Sequence, residues 1–393
     1  MFDVLTAMPD DPILSISTAA AADKRADKID LGVGIYKDEA GHTPVMRAVK
    51  AAEFAYAGLE TTKKYVSTTG LEAFNTALLT LVLGDIDTSH FATCQGAGGS
   101  GALRIGAELI KRASDSAVVY VPTPTWGNHT PLIGSAGIEM KSYPYYDRAE
   151  LDVNFAAMSE FLSTVPKAGD VIILHGCCHN PTGADLSPDQ WDSLADILTA
   201  NGLIAYVDIA YLGLGDGLDE DCYGVRKLAE TQDEMLIAAS CSKNFGLYRD
   251  RVGLIAVKTK SKAQADIAKS HMGRVMRRMI SMPPNHGAAV VAHILGDDEL
   301  RAEWLKELNE MRERMNGLRR SLAYALDVQG HEDMGAALAR QKGMFSMLPV
   351  TPEQAARLRK DHSVYLLDSG RINIAGAAQD DIERLASAIL DIF

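Results

Sequence analysis

A lysine among small residues just past an apolar run is the first feature able to do chemistry. Lys243 stands in Ala239-Ser240-Cys241-Ser242-Lys243-Asn244-Phe245-Gly246. Packing explains such a lysine poorly. Desolvation lowers an amine's pKa and makes it a nucleophile towards an aldehyde, whereas a solvent-facing loop lysine is the plainer alternative. Asp208, 35 positions earlier, lies in Ala205-Tyr206-Val207-Asp208-Ile209-Ala210-Tyr211. A carboxylate at the C-terminal end of a buried strand stands where α/β proteins place ligand groups, and burying it without a partner is costly. A protonated ring nitrogen would satisfy it, and the Tyr211 phenol could reach a neighbouring oxygen. An N-cap or ion-pair aspartate is the other reading. The separation leaves room for one helical connection and a parallel neighbour strand, so that Asp208 and Lys243 can face one crevice.

A second feature is Gly96-Ala97-Gly98-Gly99-Ser100-Gly101-Ala102-Leu103. Glycines let backbone N–H groups approach a phosphate, and a following helix adds its N-terminal partial charge. The spacing matches a dinucleotide fingerprint, but no strand of a βαβ unit is evident before it and the next strand ends in Pro122, not an acidic residue. A phosphate cradle of another kind and a structural turn both remain. Cys177-Cys178-His179, close to His175, raises the question of zinc. Adjacent cysteines lack the usual ligand spacing, so no metal is expected.

These residues need elements to position them. Short apolar stretches at 118–121, 171–174, 204–207, 236–239 and 254–257 alternate with helical patterns, which predicts an α/β layer of parallel strands covered on both faces. Ser187-Pro188-Asp189-Gln190 forms a capping box that starts a helix, and the alanine run 19–22 reads as another helix start. After Pro284, Leu308, Met311, Met315, Leu318 and Leu322 recur at steps of three and four, one face of a long helix ending near Gly330. Strands at 343–346, 364–367 and 371–374 and a helix over 380–393 follow. This tail reads as a smaller α+β domain.

Taken in order, Asp11-Pro12-Ile13-Leu14, Leu31-Gly32-Val33-Gly34-Ile35-Tyr36-Lys37-Asp38, His175-Gly176-Cys177-Cys178-His179-Asn180-Pro181-Thr182-Gly183, Ser242-Lys243-Asn244-Phe245-Gly246 and Gly370-Arg371-Ile372-Asn373 resemble the class I aminotransferases of fold type I, specifically the aspartate and aromatic amino-acid aminotransferases. The resemblance covers essentially the whole chain. It implies a large domain with a mostly parallel seven-stranded sheet over residues 41–300, a small C-terminal domain over 301–393, and an arm with part of the small domain over 1–40. It also implies a homodimer with shared active sites and pyridoxal 5′-phosphate as cofactor.

The resemblance further implies that Lys243 carries the cofactor as a Schiff base and shuttles the proton. Asp208 keeps the ring nitrogen protonated, with His129 behind it. Asn180 and Tyr211 bond the ring oxygen, and Trp126 stacks on the ring. Gly99, Ser100, Ser240 and Arg251 bind the phosphate, joined by Tyr65 from the neighbouring subunit. Gly34, Trp126 and Asn180 border the substrate. Arg371 grips its α-carboxylate with a planar fork, and Arg277 is offered across the dimer to a side-chain carboxylate. Arg274, Arg277 and Arg278 can share a helical face, so a solvated basic face is the alternative for Arg277. The family has polar residues after that arginine. Here the run is Arg278-Met279-Ile280-Ser281-Met282, and methionines offer adaptable apolar surface, which predicts a site that accepts aromatic side chains as well as aspartate.

The 393 residues exceed one compact core. With 39 Lys+Arg against 52 Asp+Glu the net charge is -13, which disfavours nucleic acid and anionic membranes as partners. No stretch reaches the length of a spanning helix and no secretory signal is visible. Five cysteines suit a reducing compartment, the cytoplasm. The expected activity is transfer of the amino group of L-aspartate or aromatic L-amino acids to 2-oxoglutarate by a ping-pong route. Lyase or decarboxylase chemistry on the same fold is the rival.

Overall fold

The structure, a computed structural model, describes residues 1–8 and 11–393. Its strands are β1 (Ile29–Asp30), β2 (Phe91–Ala97), β3 (Val118–Thr123), β4 (Glu139–Pro144), β5 (Tyr146–Asp147), β6 (Asp152–Val153), β7 (Val171–His175), β8 (Ile204–Ile209), β9 (Met235–Ser240), β10 (Val252–Lys258), β11 (Phe345–Met347), β12 (Val364–Tyr365) and β13 (Arg371–Asn373). Seven form one sheet in the order β2-β10-β9-β8-β7-β3-β4. From β9 to β4 every pairing is parallel.

The stretch at 254–257 belongs to β10, which is antiparallel to both of its neighbours rather than parallel as expected. The cause is the connection. Residues 241–251 contain no helix, and a parallel return needs a crossover of about a dozen residues or more. The turn that reverses the chain is the one carrying Lys243. A strand also precedes the glycine motif, contrary to expectation. β2 has few branched residues and runs directly into Gly96, so its pattern is weak. It is an edge strand paired only with β10 among the described residues, so no parallel neighbour completes a dinucleotide unit.

Successive side chains of the inner strands enter different cores. Ala205, Val207 and Ile209 join one, with Leu78, Leu194, Leu228, Val290 and Leu308 from the covering helices. Tyr206, Ala238 and Ile255 join the other, with Leu103, Ile105, Met272 and Met276. The second face is therefore closed by the helices Gly98–Ala113 and Lys262–Met279. Burying a Leu or Ile side chain this fully contributes roughly 1.5–3 kcal/mol.

The capping box forms as expected: Ser187 N–H donates to Gln190 Oε1 at 2.9 Å and Gln190 N–H to Ser187 Oγ at 3.3 Å. The alanine run instead ends a helix, Pro12–Ala22, which starts where Asp11 accepts from the N–H groups of Ile13 and Leu14. The long helix is Asp298–Asp327. It buries Trp304, whose indole N–H donates to Asn244 O at 2.7 Å while its ring stacks on Phe245. That contact braces the turn next to Lys243. Beyond the helix, β11 pairs antiparallel with β13 and β12 pairs parallel with β1 near the start of the chain. The expected strand at 343–346 is β11, which starts two residues later and ends one later. The terminal helix spans Ile382–Leu390. No helix among the described residues is long and apolar enough to cross a membrane.

Candidate active site

A cavity of about 220 Å³ opens at the C-terminal ends of the parallel strands, bordered by Gly34, Trp126, Asn180, Asp208, Tyr211 and Lys243. This is where an open α/β sheet places its ligands.

Asp208 is delivered by β8, in register with His175 of β7 and Ala238 of β9. Its Oδ2 lies 3.0 Å from His129 Nε2, His129 Nδ1 lies 2.7 Å from Thr125 Oγ, and that hydroxyl lies 3.1 Å from His175 Nε2. Burial holds His175 well below its ordinary pKa, with the fields of His179 and His129 acting the same way. The three contacts fit one chain of donors leading to the carboxylate. His175 Nε2–H donates to Thr125, Thr125 O–H donates to His129 Nδ1, and His129 Nε2–H donates to Asp208. Burial by itself would raise the Asp208 carboxyl. The His129 hydrogen bond, with the fields of His129, His175 and Lys243, outweighs it and holds the group below the usual carboxylate range. Among the described residues Oδ1 has no hydrogen-bond partner, which leaves it free for a cationic N–H.

Lys243 Nζ sits 4.6 Å from the centre of the Tyr211 ring. Burial lowers its pKa to about 8, helped by Arg251 and Arg371 and opposed by Asp208. At pH 7 about a tenth of the amine is then free base, against about three parts in ten thousand at the ordinary lysine value. Burial pushes the Tyr211 phenol the other way, well above 10. Asn180, beside a cis Asn180-Pro181 peptide, donates from Nδ2 to Tyr211 Oη at 3.4 Å and accepts from Arg371 Nη1 at 3.4 Å.

At one end of the cavity lie Gly99 and Ser100, in the first turn of the helix Gly98–Ala113. Ser240 and Ser242 hydroxyls lie 3.0 Å apart beside it. The Arg251 guanidinium donates to Tyr248 O at 2.9 Å, and no carboxylate pairs with it among the described residues. Gly98 has φ +69, and a Cβ there would lie 2.4 Å from Arg251 Nη2; only glycine allows both. A helix N-terminus, two hydroxyls and a guanidinium make a cup for a dianion. At the other end Arg371, from β13, donates to Gly32 O at 2.8 Å and lies 4.5 Å from the Phe345 ring centre, while its buried Nε has no partner among the described residues. Gly34 leaves space there, since a Cβ would come within 2.9 Å of Phe345. Trp126 flanks the cavity edge-on to His129 at 5.3 Å.

The cup, the buried carboxylate and the unpartnered Arg371 Nε fit a molecule that bears a phosphate and a cationic ring, next to a carboxylate. Tyr65, 89 % exposed, and Arg277, also exposed, are not brought to the cavity of their own chain. Arg277 and Arg274 border a separate shallow depression with Thr68 and Gly273. Ser242, Tyr248, Thr125 and His175 also take part in the cavity or its network, though sequence reasoning assigned them nothing. Ser242 and Thr125 adjoin Lys243 and Trp126, a usable signal; Tyr248 had none.

The profile of the family described as aminotransferase class I and II matches residues 26–389. The chain belongs to this family. The enzyme is 45% identical over 387 residues to the tyrosine aminotransferase of Rhizobium meliloti (strain 1021), covering 98% of each chain. It is 41% identical over 396 residues to the aspartate aminotransferase of Haemophilus influenzae, covering 100% of each. Among solved structures, the aromatic-amino-acid aminotransferase of Burkholderia pseudomallei covalently bound to pyridoxal phosphate superposes with a TM-score of 0.96 at 37% identity, covering 100% of this chain and 99% of that one. The fold-type-I architecture and the aminotransferase activity implied by the sequence motifs are thus borne out.

Proposed function

We propose that this aminotransferase moves the amino group of L-aspartate and of the aromatic L-amino acids phenylalanine and tyrosine to 2-oxoglutarate in two ping-pong half-reactions, on a cofactor held covalently by Lys243. The cofactor is pyridoxal 5′-phosphate. When bound, it supplies a carbonyl that takes up the amino group and an electron-withdrawing ring. The observation that carries the reading is the pairing of two buried groups in one cavity: an amine lowered to about 8 and a carboxylate held ionised by His129.

Each role then follows from the chemistry of these groups. Lys243 Nζ is partly free base at neutral pH, so it can attack a carbonyl and later take up and return a proton. Asp208 keeps the ring nitrogen protonated, and the chain from His175 through Thr125 to His129 holds that carboxylate charged. Asn180 and Tyr211, already in contact, hold the ring oxygen. Trp126 covers a ring face. Gly99, Ser100, Ser240 and Arg251, together with Ser242, anchor the phosphate. Arg371 receives the α-carboxylate, with Nε and a terminal nitrogen as the two tines of its fork.

Tyr65 and Arg277 act on the partner's site in a homodimer. Support comes from their exposure and from the 3.3 Å contact of Val66 N–H with Met282 Sδ, which ties their two segments into one unit. Met279 and Ile280, also exposed, give aromatic side chains apolar surface beside Arg277, and the relatives named above include both tyrosine and aspartate enzymes. We place the large domain at 41–300, the small one at 301–393 and the arm with part of the small domain at 1–40. Five free, buried thiols support the cytoplasm as the location.

The deciding experiment is the visible spectrum of the holoenzyme with aspartate, then separately with phenylalanine, and no oxo acid present. Both donors should convert aldehyde-form to amine-form cofactor, and 2-oxoglutarate should reverse the change. No conversion without an oxo acid, or a Lys243→Ala variant with an unaltered spectrum, overturns the reading.

A further inference from the structure

Cys177 and Cys178 follow β7, and Asp221 ends the short helix Leu218–Asp221. The two Sγ atoms and an Asp221 carboxylate oxygen lie within 4.8 Å of one another, and all three residues are buried. Neighbouring residues of an extended chain send their side chains to opposite sides. Cys178 departs from that with φ 52, uncommon for a residue with a side chain, so that both thiols face Asp221. Gly343 makes the room: a Cβ there would lie 2.8 Å from Cys178 Sγ. Asp221 is held in place by the N–H groups of Asp216 on Oδ1 and of Gly213 and Gly215 on Oδ2. Oδ1, with one donor, retains acceptor capacity. Cys177 and Asp221 also border a second cavity of about 220 Å³, whose other walls include Asp185, Asp216, Glu220 and Lys342. Three further carboxylates against one amine make that cavity favourable to cations.

We propose that Cys177, Cys178 and Asp221 bind one thiophilic divalent ion of the zinc type, with its fourth position open to the acidic cavity. Two thiolates and a carboxylate suit zinc or cadmium rather than magnesium or calcium. Tetrahedral bonds of about 2.3 Å place two sulfurs about 3.8 Å apart, so donors within 4.8 Å close on an ion by moving at most about 1 Å. Binding releases two thiol protons. Occupancy therefore rises with pH. Cys178 Sγ lies 3.9 Å from Tyr211 O, and Cys177 borders the cofactor cavity as well. The ion thus ties the loop carrying Asn180 to the segment carrying Tyr211. The sequence concealed this because the third donor comes from a different loop. The inference does not rest on the transamination reading.

The test uses chelator-treated holoenzyme titrated with cadmium ions, read by thiolate-to-cadmium ultraviolet absorption and by cadmium retained after gel filtration. The expected result is one ion per chain, with affinity rising up to a hundredfold per pH unit as two protons leave. The absorption and the bound ion should vanish in the Cys177→Ser/Cys178→Ser double variant, and affinity should fall at least tenfold in Asp221→Asn. Because Asp221 also holds its own loop, the double serine variant decides the case, with its visible cofactor band as the check of folding. No cadmium retained by the natural protein, or equal absorption and stoichiometry in the double serine variant, overturns the proposal.

Discussion

Replacing Arg371 by lysine keeps a positive charge at the same place and removes the planar fork, so it isolates what the geometry contributes. The guanidinium is 4 % exposed, donates to Gly32 O at 2.8 Å, lies 4.5 Å from the Phe345 ring centre, and has a buried Nε with no partner among the described residues. A substrate carboxylate gains two charge-assisted bonds from the fork and one from an ammonium. Losing one such bond costs about 1.5–3 kcal/mol, and losing the stacked contact on Phe345 costs about 1 kcal/mol more. The sum, about 2.5–4 kcal/mol, predicts a fall in kcat/KM of about 10²–10³. The assay is kcat/KM for aspartate and for phenylalanine, on protein whose cofactor band matches that of the natural enzyme. Because both donors share the α-carboxylate, the two values must fall by the same factor within about threefold. A loss below tenfold, or one confined to aspartate, refutes the assignment of Arg371 to the α-carboxylate.

Arg277→Leu separates the donors instead: kcat/KM for aspartate should fall about 10–150-fold with one lost charge-assisted bond, while the value for phenylalanine moves less than threefold, and equal losses would count against Arg277. Covalent capture of pyridoxal phosphate by the cofactor-free protein, followed by growth of the visible band, should speed up about tenfold per pH unit below 8 and level off above. The sign follows from Lys243: its lowered pKa of about 8 enlarges the free-base fraction at neutral pH. A rate still climbing at pH 10 would place the amine in solvent. His129→Ala removes the donor that favours charged Asp208, so the carboxyl pKa rises and the acid limb of the kcat profile should move to higher pH, with kcat down about 10–100-fold; an unmoved acid limb would assign His129 a packing role only.

The chemistry of the site was more legible than its frame. Lys243, Asp208 and the glycine motif stood out because each is an expensive residue type at a strand end, and the structure does gather them around one cavity at the C-terminal ends of the strands. The reversal of β10 was not legible, since an apolar stretch carries no direction; the helix-free turn around Lys243 decides it. β2 was missed because Gln95 and Gly96 dilute its pattern, while its stability comes from pairing with β10 along its whole length. The network behind Asp208 was visible only as far as His129. Thr125 and His175 reach it through a loop and a neighbouring strand, contacts that no local spacing encodes. Asp221 joins the two cysteines for the same reason.

The two arginines bear on the proposed roles of Lys243, first as nucleophile and then as base. Arg251 and Arg371 stand at opposite ends of the cavity, and both push the Lys243 pKa downward, on top of burial, while Asp208 pulls it upward. With bare guanidinium groups, the amine is biased towards the free base that attacks a carbonyl. A phosphate at Arg251 and a carboxylate at Arg371 each cancel one of those cationic fields. The cationic ring nitrogen would cancel the upward pull of Asp208 in the same way, so all three fields on Lys243 would change when cofactor and substrate are seated. On the proposed assignments, the anions that position cofactor and substrate would also change the field at the group that acts between them.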